Sequence, residues 1–373
     1  MSPTSYQLLH PAMRFRCLCA QVMTLNNNGP QMYTTFCLVQ PLDVFPEWER
    51  TLGLPILPTV PDNQPLSSFD PSVPPSDAPD GHRAGFVNIV GSPNVGKSTL
   101  MNRLVGERLS IINAKAQTTR HRIMGIVNEP EYQIVYSDTP GVLDPAYKLQ
   151  EGMMKFVKTA LQDADVLLVV TEVQEDSMAH PETLQKIAAM DVPTFVLVNK
   201  IDLAQDQSLV EAKLDAWAAQ LPRASVVPIS ALHNFNVDTL LDRIVAQLPV
   251  SPPFFPKDEL TDKPMRFFVS EIVREKILTH FKQEIPYSCE VVVEAYEDAP
   301  KIARIRAEIH VARESQKHIV VGAQGRMIKR VGMDARRDLE GFLGKKVFLD
   351  LYVRVDKNWR DDERKLKRFG YMD

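Results

Sequence analysis

Gly91-Ser92-Pro93-Asn94-Val95-Gly96-Lys97-Ser98 follows an apolar run, Phe86–Val90, and opens an amphipathic stretch, which is the strand, loop and helix setting of a phosphate-binding loop. Glycines at both ends let the backbone turn its N–H groups toward phosphate oxygens, and the helix behind adds the positive end of its dipole. Lys97 brings a cation to the β- and γ-phosphates, and Ser98 places a hydroxyl where Mg²⁺ binds. The candidate nucleotide site therefore begins with Gly91, Ser92, Pro93, Asn94, Val95, Gly96, Lys97, Ser98 and Thr99.

Downstream, short apolar runs alternate with amphipathic stretches: Ile123–Val127, Tyr132–Tyr136, Val166–Val170, Thr194–Val198 and Ser225–Ile229 are predicted strands. Such alternation predicts an α/β, doubly wound, mostly parallel sheet with ligand loops at the carboxyl ends of its strands. Asp138-Thr139-Pro140-Gly141 follows one of those strands, where Asp138 is placed to hold Mg²⁺ and Gly141 to offer a peptide N–H to the γ-phosphate. Asn199-Lys200-Ile201-Asp202 follows another. A carboxylate at Asp202 accepts from both guanine N1–H and the N2 amine, donors that adenine lacks on that edge, so the nucleotide is GTP or GDP rather than ATP. Lys200 is expected to lay its stem over the base, and Ser230-Ala231 to bring a backbone N–H to the guanine O6.

Between the phosphate loop and Asp138 lies Ala116-Gln117-Thr118-Thr119-Arg120-His121. Thr118 or Thr119 is expected to complete the Mg²⁺ shell when the γ-phosphate is present; His121 is read as structural. Lys97 and Gly141 are the candidate catalytic groups. The residue after Gly141 is Val142, where Ras-type enzymes carry a water-orienting glutamine, so slow intrinsic hydrolysis is expected.

The proline-rich stretch Gln247–Pro256 ends this domain. Beyond it the pattern predicts a helix (about Val269–Phe281), strands Tyr287–Tyr296 and Ile302–Val311, two helices about a glycine turn, and a strand Lys346–Val355, a small α+β domain. Its turn, Gly322-Ala323-Gln324-Gly325, followed by Arg326, Lys329 and Arg330, has the Gly-x-x-Gly form that clamps single-stranded RNA in KH domains. From Arg313 to Arg368 there are 16 basic against 9 acidic residues, although the whole chain carries a net charge of -4. That surplus suits a surface that meets phosphates, with RNA rather than DNA expected.

Residues 1–83 read as a disordered extension, and Met1–Pro41, with Arg14 and Arg16 but no acidic residue, has the character of an organelle transit peptide. The expected organisation is 1–83 extension, 84–249 GTP-binding domain, 250–264 linker and 265–373 KH domain. No apolar run has the ~20 residues of a membrane span, leaving only peripheral membrane contact open. The four cysteines make neither a disulfide framework nor a zinc set, Cys17-Leu18-Cys19 having no matching pair.

Taken together, Gly91–Ser98, Gln117–Ile123, Asp138–Gly141, Asn199–Asp202, Ser230-Ala231 and Gly322–Gly325 resemble, in order, the motifs of the Era family of GTPases, from Phe86 to Tyr371. The resemblance implies a factor in small ribosomal subunit assembly whose KH domain grips the 3′ end of small-subunit ribosomal RNA. It also implies that Asn94 holds K⁺ near the phosphates. The N-terminal extension resembles that of an organelle member, a chloroplast stromal one, with a cytoplasmic bacterial protein as the alternative. Asn234-Phe235-Asn236 departs from the glycine-containing turn that often follows Ser-Ala. Two rival functions share the pattern: a tRNA-modification or membrane-associated regulatory GTPase, and a GTP-regulated RNA-binding module with vestigial hydrolysis, against which the intact Lys97, Ser98 and Asp138 stand.

Overall fold

The structure is a computed structural model that describes residues 81–113, 115–178 and 180–372. The transit-peptide reading and Cys17, Cys19 and Cys37 lie outside the described residues. Arg83, expected to close the extension, instead opens the first strand.

Six strands, β1 (Arg83–Gly91), β2 (Ile123–Asn128), β3 (Tyr132–Asp138), β4 (Val166–Glu172), β5 (Thr194–Asn199) and β6 (Ser225–Pro228), form one sheet in the order β2-β3-β1-β4-β5-β6. Only β2 runs antiparallel, because the three-residue connection Glu129–Glu131 is too short for a crossover. Continuous apolar runs mark strands covered on both faces. Along β4, Val166, Leu168 and Val170 face α1 (Lys97–Val105) and α5 (Val237–Gln247), whereas Leu167 and Val169 face α2 (Lys148–Gln162), α3 (Pro181–Ala189) and α4 (Gln207–Gln220). Gly91–Ser98, Asp138–Gly141, Asn199–Asp202 and Ser230-Ala231 emerge at the carboxyl ends of the parallel strands, and Gln117–Ile123 leads into the antiparallel β2.

The connection 250–264 lies along this sheet. Buried Gln133 accepts from the N–H groups of Phe254 (2.7 Å) and Phe255 (2.9 Å) and donates to the Phe255 carbonyl at 2.7 Å, while Phe254 stacks on Phe86. Leu260, Thr261 and Asp262 bond to β2, covering what is otherwise an open sheet edge.

After α6 (Met265–His280), a single turn α7 (Ile285–Ser288) occupies the expected start of a strand; β7 (Cys289–Asp298) begins only at Cys289. Pro286, which has no N–H for a ladder, fits the first turn of that helix. β7 pairs antiparallel with β8 (Ile302–Val311), with a bulge between Val293 and Ala295, and β8 pairs parallel with β9 (Lys346–Val355). The β8-to-β9 crossover comprises α8 (Glu314–Val321), the tight turn Ala323–Gly325 and α9 (Arg326–Leu343). A short C-terminal helix, α10 (Glu363–Arg368), not expected from the sequence, follows. Among the described residues no helix is long and apolar enough to cross a membrane.

Candidate functional site: a phosphate loop wired to a second domain

Gly96 (φ 99°) caps α1 without a side-chain acceptor, leaving the first N–H groups of that helix aimed into the loop. A Cβ at Gly96 would lie 2.3 Å from the Asn199 amide nitrogen, so glycine is required by space as well as by φ. Lys97 is 6% exposed and donates to the carbonyls of Gly91 (3.1 Å) and Ser92 (2.8 Å). Burial pulls its ammonium down to about 8, with Asp138 and Glu175 acting in the opposite sense. Glu175, which sequence reasoning missed, accepts hydrogen bonds from Ser92 and Thr171 and sets a negative charge beside the loop.

Asp138 is fully buried. Its Oδ2 accepts from Ser98 Oγ at 2.7 Å and from Thr119 Oγ1 at 3.3 Å, and the two hydroxyls are 2.9 Å apart. Its Oδ1 is buried with no hydrogen-bond partner. Burial raises the Asp138 carboxyl above its usual range, against the pull of Ser98 and Lys97. Convergent hard oxygen donors around an unsatisfied carboxylate oxygen are the donor set of a small divalent cation. Of the two threonines expected there, the structure brings Thr119 to Asp138, while the Thr118 hydroxyl donates to the Lys115 carbonyl at 2.6 Å.

Thr139 donates to the Ile89 carbonyl, so its hydroxyl ties two strand ends together. Gly141 presses on the phosphate loop, since a Cβ there would lie 2.7 Å from Pro93 Cα. Val142 is buried in the apolar cluster with Val90 and Val157, pointing away from the rim.

On the base side, the buried Asn199 donates to the Val95 carbonyl (2.8 Å) and accepts from the Ala231 N–H (3.0 Å). Asn199 is therefore a tie between three loops, and the Ala231 N–H expected at guanine O6 is engaged with it. Asp202 Oδ1 accepts from Ser230 Oγ at 2.6 Å, which orients the carboxylate. Lys200, held at φ 59°, pairs its ammonium with Glu172. Asn234 and Asn236 take φ of 58° and 60°, supplying the left-handed turn that glycine was expected to supply.

The segment carrying Thr119 also enters the second domain. Arg120, 1% exposed, donates to the carbonyls of Cys289 (2.8 Å) and Pro286 (2.9 Å) and to Glu290 Oε2 (3.0 Å). Glu290 also accepts from Tyr371 OH at 2.8 Å, and the Tyr371 ring stacks on His121 at 4.2 Å. Arg274 bonds Glu271 and the Thr118 carbonyl. Desolvation among these cations holds His121 well below its usual value, hence neutral.

In the second domain Gly322 (φ 72°), Gln324 (φ 54°) and Gly325 (φ 75°) make the tight turn, and a Cβ on Gly322 would lie 2.6 Å from Met327 Cγ. Ala323, Gln324, Arg326, Lys329 and Arg330 are exposed around it. Beside the turn a groove of about 270 Å³ runs between α9 and β9, with Ile328, Leu349 and Leu351 as its apolar floor and Lys329 and Arg336 as its cations.

Residues 86–200 match the family described as 50S ribosome-binding GTPase, and residues 284–360 match the KH domain family. The chain is 45% identical over 292 residues to the GTPase Era of Geotalea uraniireducens, covering 78% of this chain and 98% of that protein. It is 45% identical to the chloroplastic GTPase ERA1 of Zea mays, covering 78% and 71% respectively. A crystal structure of Era with MgGDPNP and nucleotides 1506–1542 of 16S ribosomal RNA superposes with a TM-score of 0.75 at 38% identity, covering 78% of this chain and 99% of that one.

Proposed function

The chain belongs to the Era family of GTPases, and from that premise we propose how its two domains divide the work. The domain that begins with β1 at Arg83 and runs to residue 249 binds and cleaves GTP, and residues 265–373 hold single-stranded ribosomal RNA, with 250–264 as the strap between them. The RNA is the 3′ end of small-subunit ribosomal RNA, and the setting is assembly of that subunit; the Era crystal structure carrying a 16S fragment supports this. The chloroplastic relatives from Zea mays and Oryza sativa support a plastid location, with the residues before β1 as transit peptide.

The observation that carries the enzymatic reading is the buried, unpartnered Asp138 Oδ1 beside the Ser98 and Thr119 hydroxyls at the foot of the phosphate loop. Mg²⁺ held there through Ser98, Thr119 and Asp138 supplies charge neutralisation at the β- and γ-phosphates. Lys97 leaves its two carbonyls to meet the same phosphates, and the first N–H groups of α1 and that of Gly141 donate to them. Val142 is buried and carries no polar atom to orient the water, so preorganised charge carries most of the rate enhancement. Asn94, exposed and held at φ 65°, holds K⁺ in this reading and adds positive charge near the γ-phosphate.

Asp202→Asn is expected to weaken GTP binding at least tenfold and to favour xanthosine triphosphate, whose C2 oxygen accepts from the new amide. Competition binding decides this, and a variant with unaltered GTP affinity that ignores the xanthine nucleotide rules out the base assignment.

Lys97 gives a second test. Free, it loses its proton near pH 8; beside phosphates it keeps it. The bound state therefore holds more protons than the free state above pH 8, and GTP affinity falls as pH rises beyond that value. Calorimetry at pH 8.5 in buffers of different ionisation heat is expected to show proton uptake on binding, absent in Lys97→Arg; equal heats in the wild-type protein count against the assignment.

Ala323→Asp with Gln324→Asp puts two carboxylates on the exposed turn that leads into α9. RNA affinity should fall at least tenfold and GTP affinity should hold. Wild-type RNA affinity in this variant removes the groove as the RNA site.

A further inference from the structure

Strand β9 shows two different faces. Val347, Leu349, Leu351, Val353 and Val355 turn inward, Leu349 and Leu351 flooring the groove, while Phe348 and Tyr352 stand outward with 54% and 50% of their surface exposed. A soluble domain leaves few large aromatics bare on a sheet, and these two lie on one line, four residues or about 13 Å apart. Basic side chains surround them. Arg304 lies opposite Phe348 in the β8–β9 register, Arg306 packs its guanidinium 5.8 Å from the centre of the Tyr352 ring, and Lys346 and Arg354 occupy the two ends. All four are exposed; Arg306 pairs with Asp350 at 3.5 Å and Arg354 with Glu308 at 3.3 Å, both acids half-buried on the same two strands, while Arg304 and Lys346 make no ion pair among the described residues. Acidic Glu294 and Glu297 on β7 border the face on its other side.

From this juxtaposition the geometry points to the outer face of β8 and β9 as a second single-stranded RNA surface, on which Phe348 and Tyr352 each stack one base and Arg304, Arg306, Lys346 and Arg354 follow the backbone. Exposed rings interleaved with cations on a sheet are the stacking platform that reads single strands without sequence preference, since every base has a π-face. The fit is to RNA rather than to a second copy, because β8 and β9 present four basic against two acidic side chains outward, an excess that two copies would bring together. β9 is the edge of its sheet, so a strand leaving the groove on the inner side has only that one edge to round before meeting Phe348. The surface goes beyond the groove reading and does not depend on the turn Gly322–Gly325.

The test uses the full chain with Mg²⁺ and a non-hydrolysable GTP analogue, and a fluorescein-labelled octauridylate as probe. Phe348→Ala with Tyr352→Ala should lower affinity tenfold or more, and Phe348→Tyr with Tyr352→Phe should restore it. In the groove variant, Ala323→Asp with Gln324→Asp, residual binding should persist and should vanish on adding the two alanine changes. Ultraviolet crosslinking of the unmutated protein, read by mass spectrometry, should place uridine on Phe348 or Tyr352, a readout that needs no variant to fold. Wild-type affinity in the alanine pair, together with crosslinks confined to the groove, overturns the platform and leaves the groove standing. Undiminished binding in the groove variant, with crosslinks only on the sheet face, supports the platform and removes the groove. A dimer in sedimentation that the alanine pair dissociates, without any change in RNA affinity, reassigns the face to a second copy and overturns the inference.

Discussion

Gly141→Ala is expected to lower single-turnover GTP cleavage by about 100-fold or more while GDP affinity changes little. The added Cβ would sit 2.7 Å from Pro93 Cα and 2.8 Å from Pro93 N. Those are backbone atoms, so no rotamer change relieves the clash; either the Asp-x-x-Gly loop or the phosphate loop must move. The displaced group is the peptide N–H proposed for the γ-phosphate, whereas the base-side ties through Asn199 and Ser230 lie on other strands and stay as they are. Rapid-quench measurement with saturating GTP and Mg²⁺ reads the effect. A variant cleaving at the parent rate would falsify the role given to Gly141.

Arg120→Met should cost about 3–5 kcal/mol of folding stability, the range for breaking a buried ion pair on one side. Arg120 and Glu290 are 1% and 6% exposed, so the substitution leaves a carboxylate in a buried setting. Glu290 then keeps Arg274 as a neighbouring cation and the Tyr371 hydrogen bond, and burial, which already pushes its carboxyl above the usual range, acts with less opposition. A carboxyl whose folded value is raised contributes stability that is present at acid pH and lost as pH climbs through that value. The penalty of Arg120→Met should accordingly be smaller at pH 5 than at pH 8, and Arg120→Met with Glu290→Gln should recover part of it. Denaturant unfolding at the two pH values, with all three variants, measures this. A penalty independent of pH and unchanged by Glu290→Gln means that the pair is bystander packing.

The rim of the first sheet was legible because its chemistry is local. The phosphate loop and the carboxylates proposed for Mg²⁺ and for guanine each sit within a few residues of a strand end, and strand ends follow from apolar periodicity. Ile302–Val311 and Lys346–Val355 coincide with the observed strands for the same reason. What could not be read depends on partners far away in the chain. Thr118 and Thr119 are chemically equivalent in sequence, and only the carbonyl of Lys115 on one side and Asp138 on the other separates them. Arg120 meets Glu290 across 170 residues, and nothing in the polar stretch Gln117–His121 announces a buried cation. The one-turn helix before Cys289 overrode a β-like run because Pro286 cannot donate to a ladder.

Thr119 and Arg120 are adjacent, and that adjacency has a thermodynamic consequence. One residue looks to Asp138 and the other to Glu290, while their Cα atoms are ~3.8 Å apart along a chain that does not stretch. A shift of Thr119 at the nucleotide site would act on Arg120 under β7 through that one peptide unit, which would give the two ends a shared conformational coordinate. Reciprocity then fixes the sign of the traffic: by whatever factor nucleotide alters the hold on RNA, RNA alters the hold on nucleotide by the same factor.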